Sequence, residues 1–266
     1  MAAEPFTEDE MASFDHILSC ENLVRRFGGF TAVDNVTLGV RKGTIHAVIG
    51  PNGAGKTTFF NLLTRFLPAS EGRIRFDGHD ITNLAADRVA GLGMVRSFQI
   101  SAIFPTLTLL ENVRVALQRQ DGQSWDFWRS GKRLRALNSR ALDLLDRVGL
   151  ADRAQDTAGQ LPYGRKRSLE IATALALDPK LLLLDEPMAG MAAEEIQRIE
   201  DLIREIAHGC TILMVEHNLS VVASLADEIT VLAQGSLLAQ GSYAEVSSNP
   251  EVIRAYIGNE QGAGHG

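Results

Sequence analysis

Apolar residues along this chain fall into two rhythms. Thr44-Ile45-His46-Ala47-Val48-Ile49, Leu181-Leu182-Leu183-Leu184 and Thr211 to Val215 are short, largely apolar runs, the pattern of strands buried on both faces. Through Thr57 to Phe66, by contrast, Phe59, Phe60, Leu62, Leu63 and Phe66 recur at helical spacing, which predicts a helix. The same spacing returns from Leu107 to about Leu150, with Ala141, Leu144, Leu145 and Val148 on one face. A further helix is expected after Gln160 to Arg165, ending near Leu177. Strands alternating with helices predict a parallel sheet built from strand–helix–strand units.

Three stretches read differently. Ile17 to Val40 gives short strand-like runs separated by Gly28-Gly29 and Asp34-Asn35, and Glu71 to Phe76 alternates polar and apolar around Gly72 and Gly78. Together they predict a small antiparallel sheet beside the parallel core. Ile229 to Ala233 and Ser236 to Gln240, joined by Gln234-Gly235, read as a closing hairpin.

Composition narrows the function classes. At 266 residues and 45% hydrophobic, the chain can bury the core of one large α/β domain, with room for an inserted lobe. Its 26 Lys and Arg against 33 Asp and Glu give a net charge of −7 with no long basic run, which argues against a general nucleic-acid binder. Cys20 and Cys210 stand far apart without metal-ligand spacing and are read as reduced thiols of a cytosolic protein. No apolar stretch approaches the ~18–20 residues that span a bilayer. The richest segment, Ile171 to Leu184, is broken by Asp178, Pro179 and Lys180. The N-terminus is acidic, unlike a signal peptide. Membrane association is therefore expected to come through a partner.

The chemistry centres on Gly50-Pro51-Asn52-Gly53-Ala54-Gly55-Lys56-Thr57-Thr58. Glycine, four residues, glycine, lysine and a hydroxyl residue, set between a strand and a helix, make a phosphate-binding loop. Glycines let backbone N–H groups turn inward around a phosphate, and the helix N-terminus adds its partial positive charge. Lys56 is expected to reach the β- and γ-phosphates and the Thr57 hydroxyl to ligate Mg²⁺. Asp185, at the end of an apolar strand, suits the metal or its water, and Glu186 is placed to polarise an attacking water. His217, after the Thr211–Val215 strand, is a candidate to contact the γ-phosphate beside Glu186, its alternative being a satisfied strand-end polar residue. Gln99 is a candidate to complete the magnesium shell, its alternative being a plain loop glutamine. Phe27, ahead of the glycine loop, is a candidate to stack on adenine, its alternative being a core or loop residue.

In this order, over roughly Leu18 to Gly258, these residues resemble an ATP-binding cassette (ABC) transporter ATPase. The likeness sets Phe27 as the aromatic loop, Gly50 to Thr58 as Walker A, Gln99 as the Q-loop, Leu181 to Glu186 as Walker B and His217 as the switch histidine. Leu161, Pro162, Tyr163, Gly164 and Arg165 occupy the place of the LSGGQ signature. The 115–140 insertion, the LPYG signature and the ending Asn249 to Gly258 are similar to the branched-chain amino acid importer ATPases of Liv type.

The resemblance implies an α/β, P-loop NTPase fold of the ABC ATPase kind: a parallel-sheet core, an antiparallel β subdomain and a helical subdomain. It implies one domain over 15–260, with the helical subdomain roughly at 100–170, between a flexible tail at 1–14 and a disordered one at 261–266. ATP and Mg²⁺ are the implied ligands. The implied partners are integral membrane permease subunits, a second ABC ATPase subunit joined head to tail as homo- or heterodimer, and a periplasmic binding protein. The implied location is the cytoplasmic face of a bacterial inner membrane.

Three departures from the family pattern weaken the case for a symmetric homodimer. Pro162 replaces the signature serine, Arg165 replaces its glutamine and brings a positive charge near the expected interface, and Ala192 stands where the D-loop carries an aspartate. A urea or amide importer, a lipopolysaccharide exporter and a soluble ABC ATPase remain as alternatives. The stretch Trp125, Phe127, Trp128, Lys132, Arg133 and Arg135 is a docking surface, a stretch that touches lipid headgroups, or a solvated face with its aromatics turned inward.

Overall fold

The computed structural model of the protein describes residues 15–97, 103–120 and 131–260. Its strands and helices follow in chain order. First come β1 His16–Phe27, β2 Phe30–Arg41, β3 Ile45–Ile49, α1 Lys56–Leu63, β4 Glu71–Phe76, β5 His79–Asp80, α2 Ala86–Gly91 and β6 Met94–Ser97. Then come α3 Leu109–Gln120, α4 Gly131–Arg147, α5 Tyr163–Leu175, β7 Leu181–Asp185 and α6 Ala193–Ala207. The chain closes with β8 Thr211–Val215, α7 Leu219–Leu225, β9 Glu228–Ala233, β10 Ser236–Gly241, α8 Tyr243–Ser248 and α9 Pro250–Glu260. These elements make two compact units, one from the chain up to Met94 and from Ala207 onward, the other from Val95 to Ile206.

The first unit carries the antiparallel sheet and the phosphate loop. Strands β2, β1, β4 and β5 pair in that order, all antiparallel. Asp34-Asn35 does not divide β2 as its composition suggests. Asn35 takes φ 51° and the β1–β2 register slips by one residue between Leu23↔Val36 and Arg25↔Val33, so the pair is absorbed as a bulge within a continuous strand. Beside it, β3 lies parallel between β8 and β9, with Ala47 opposite both Met214 and Ile229. All five residues of β3 and all five of β8 are buried, which explains their largely apolar runs. The β9–β10 hairpin turns on Gln234 and Gly235, both left-handed at φ 51° and 83°, the backbone that a two-residue turn matched to strand twist requires.

Helix α1 buries Phe59, Phe60, Leu62 and Leu63 but stops at Leu63, short of the expected Phe66. Arg65 adopts φ 61° and leaves Phe66 exposed, so Phe66 is no part of the buried face.

In the second unit β6 and β7 are neighbouring strands, and the helical pattern read from Leu107 to Leu150 resolves into α3 and α4. Ala141, Leu145 and Val148 are buried as their spacing predicts. Trp125, Phe127 and Trp128 lie outside the described residues. Cys20 and Cys210 are buried free thiols, and burial pushes the Cys20 thiol up to about 12. Among the described residues no helix is long and apolar enough to cross a membrane.

A histidine sits inside the strand core of the first unit. His46 on β3 is fully buried, its Nε2 2.8 Å from Thr230 Oγ1 and its Nδ1 3.8 Å from Glu228 Oε2. Burial pushes its pKa from 6.5 down to about 4. Glu228 opposes the shift, while Arg41 and His16 reinforce it. Between pH 6.5 and about 4 the unfolded chain therefore takes up a proton that the folded ring refuses, so folded stability falls as pH falls through that window. Thermal melts should show the midpoint dropping by several degrees from pH 7 to 4. The drop should be smaller in His46→Gln, and an identical pH profile in that variant would contradict the assignment.

Candidate functional site

The phosphate loop is built by contacts that leave no space for side chains. A Cβ on Gly50 (φ 153°) would lie 2.1 Å from the Leu232 carbonyl oxygen, and one on Gly55 (φ 94°) 2.4 Å from that of Ala32. Only glycine adopts those angles at that closeness. The loop is also tied to the β9–β10 turn, because Gly235 N donates to Ala54 O at 3.1 Å and Asp34 N to Gly235 O at 2.8 Å. Ala54 is buried, whereas Asn52, Gly53 and Thr57 are exposed and Pro51 and Thr58 half-buried. Gly55 caps α1 without a side-chain bond, and no acidic residue stands in its first turn. Amides of a first helical turn lack intrahelical acceptors, so this end of α1 presents N–H groups and partial positive charge without a competing carboxylate.

Lys56 is folded over the loop rather than out into solvent. Its Nζ donates to Gly50 O at 2.7 Å and Pro51 O at 3.0 Å, and the residue is 9% exposed. The ammonium is thus held at the mouth of a curved backbone. Phe27 ends β1 with its ring 45% exposed and the Arg25 guanidinium 4.6 Å from its centroid. The ring is accessible, as stacking on a base requires.

In the same unit His217 follows β8 and is exposed. Its position is set by Glu216, whose fully buried carboxylate accepts from His217 N at 3.2 Å and Asn218 N at 3.5 Å. Asn218 then caps α7 through Ser220 N and Val221 N. The Tyr256 hydroxyl of α9 is buried, and burial pushes its pKa up to about 12.

In the second unit Asp185 ends β7 almost fully buried, its Oδ2 2.5 Å from Arg96 Nη2 on β6. Glu186 follows at φ 45° and is half-buried, so the chain turns sharply at the strand end and the two carboxylates differ in environment. Arg167, buried on α5, donates to Asp185 O at 2.7 Å and Glu186 O at 3.3 Å, and pairs with Glu170 at 2.8 Å. It clamps the backbone that presents both acidic residues. Arg96 and Arg167 were not singled out from sequence. For Arg96 the signal that could have found it is a lone arginine beside Met94 and Val95, since such a charge is buried only with a partner. Arg167, within Arg165-Lys166-Arg167, carries no such signal.

Leu161 is buried, Pro162 occupies the N-cap of α5, and Tyr163 projects with 58% of its surface exposed. Gly164 is packed under Glu195, where a Cβ would meet Oε1 at 2.4 Å. Arg165 donates to Gly149 O at 2.7 Å within the same unit. Gln99 lies outside the described residues.

Known proteins share this arrangement. The ABC transporter family model matches residues 33–189, and that of the branched-chain amino acid ATP-binding cassette transporter matches residues 236–261. The high-affinity branched-chain amino acid transport ATP-binding protein LivG of Salmonella typhimurium is 41% identical over 252 residues, covering 91% of this chain and 98% of LivG. A crystal structure of the ADP conformation of an ATP-binding cassette from an ABC transporter superposes with a TM-score of 0.80 at 32% identity, covering 91% of this chain and 99% of that one. A dimeric post-hydrolysis cassette bound to ADP and Pi superposes with a TM-score of 0.72 at 25% identity, covering 85% and 98%. With a built phosphate loop, a carboxylate pair at a strand end and a relative matched over nearly its whole length, the chain belongs to the ABC transporter family as one of its ATP-binding cassettes.

Proposed function

We propose that this cassette is the ATP-hydrolysing, energy-coupling subunit of a bacterial importer for branched-chain or other amino acids. The observation that carries the substrate class is the C-terminal segment 236–261, which matches the branched-chain cassette family separately from the ATPase body. LivG, similar over nearly all of its length, supports the same reading. It favours amino-acid import over urea, amide or lipopolysaccharide transport and over a soluble ATPase.

In this reading residues 15–260 form one ATPase domain, the helical subdomain roughly at 100–170. Gly50 to Thr58 wrap the triphosphate, Lys56 turns from the Gly50 and Pro51 carbonyls to the phosphates, and Phe27 stacks on adenine. The Thr57 hydroxyl and the Asp185 carboxylate are hard oxygen donors of the kind that suit Mg²⁺, which keeps waters and phosphate oxygens in the rest of its shell, and Gln99 is proposed to join them. Bound there, Mg²⁺ would neutralise charge developing on the phosphates. Glu186 takes the proton of the attacking water as the new P–O bond forms and the bond to the ADP oxygen breaks. His217 holds the γ-phosphate.

Leu161, Pro162, Tyr163 and Gly164 are proposed to close over the ATP of a second cassette. The exposed Tyr163 and the uncapped N-terminus of α5 support that placement, as does the existence of a similar cassette as a dimer with ADP and Pi. Pro162 and Ala192 lack the groups of the usual signature and D-loop, and the Arg165 guanidinium is engaged by Gly149. Pairing with a different second cassette fits these departures. Permease subunits would hold the dimer at the cytoplasmic face of the inner membrane and receive substrate from a periplasmic binding protein.

Two variants test the assignment. Glu186→Gln should bind ATP with unchanged affinity while turnover falls by about 10²–10⁴-fold. Near-normal turnover measured by phosphate release would remove Glu186 from its role. Lys56→Ala should weaken ATP binding by at least about tenfold in a direct titration, since a charge-assisted phosphate contact is lost. Unchanged affinity would sink the phosphate-loop reading.

A further inference from the structure

The buried pair between Arg96 and Asp185 has no place in the roles proposed above. Both side chains are nearly inaccessible, 7% and 3% exposed, and Nη2 meets Oδ2 at 2.5 Å. A carboxylate so deeply buried stays ionised only beside a cation or strong donors. Arg167 meets the backbone oxygens of Asp185 and Glu186 and pairs with Glu170. Arg96 is the cation on the carboxylate.

A guanidinium and a hydrated divalent cation offer a carboxylate the same thing: positive charge carried on N–H or O–H donors. Resting on the functional reading above, we infer that Arg96 is a positioning residue that stands in for the metal at Asp185, and so sets how strongly nucleotide binding depends on magnesium. While Arg96 holds Oδ2, the carboxylate stays oriented at the end of β7. A hydrated metal held at Asp185 would compete with the guanidinium for the carboxylate or share it. Both routes set one cation against another in a poorly solvated place, where such repulsion is strong. Arg96 thereby weakens the pull of Asp185 on the metal, and removing its charge strengthens that pull.

The test measures ATP affinity in the full chain carrying Glu186→Gln, which blocks turnover, once with chelator and once with excess Mg²⁺. The ratio of the two dissociation constants reports the metal dependence without any reading of activity. Adding Arg96→Gln should raise that ratio by about tenfold, because the repulsion between guanidinium and metal is lifted. Adding Asp185→Asn to Arg96→Gln should abolish the rise. A ratio unchanged by Arg96→Gln in a protein with a native melt overturns the inference, and so does a rise that survives Asp185→Asn.

Should Arg96→Gln fail to fold, Arg96→Lys decides. Its compact ammonium keeps the charge but loses the planar fork, and should raise the ratio by about two- to threefold. An unchanged ratio there again overturns the inference. If the parent binds no ATP at all, the functional reading falls and this inference with it, which separates the two failures.

Discussion

The phosphate loop depends on backbone pressed against backbone. Gly50 and Gly55 face the carbonyl oxygens of Leu232 and Ala32 at distances that would put a Cβ in collision, and the β9–β10 turn is bonded to the loop through Ala54. The loop is therefore held from outside by two strands and a hairpin that follow or precede it by long stretches of chain. What is held is a curve of amides at the head of α1 with a buried ammonium folded over it. Preorganisation of this kind is what an anion needs, because the donors are already aimed and already partly desolvated.

The second unit solves a different problem, that of burying negative charge at the end of an apolar strand. Five consecutive buried residues carry β7 to Asp185, and a carboxylate there needs positive charge close by. Arg96 supplies it from β6, while Arg167 fixes the main chain on either side of the turn from α5. Glu186, one residue further and half-buried, is left in a different electrostatic setting from its neighbour. Two adjacent acidic residues can then take different roles, because environment rather than residue type separates them.

The signature segment shows how local substitutions are tolerated. Proline suits the first positions of a helix, where its missing N–H has no intrahelical acceptor, and Pro162 stands at the N-cap of α5 without disturbing it. The positive charge at Arg165 is drawn back onto Gly149 O. Its sequence position alone suggested a charge offered outward.

The chain by itself determined the elements whose signal is local. The apolar runs of β3, β7 and β8, the two-residue turn at Gln234-Gly235 and the glycine–lysine–threonine loop were all legible, because each reflects burial, backbone angle or donor chemistry within a few residues. Where sequence misled, backbone turns and pairing had decided. Asn35 became a bulge because β1 continues past it, and Phe66 left its helix because Arg65 turned left-handed. Arg96 and Arg167 carry no motif. Their significance lies in Asp185, 89 and 18 positions away. Composition can announce a buried charge, but only the folded chain brings up the group that neutralises it, since pairing across strands and helices is set by packing and not by spacing along the sequence.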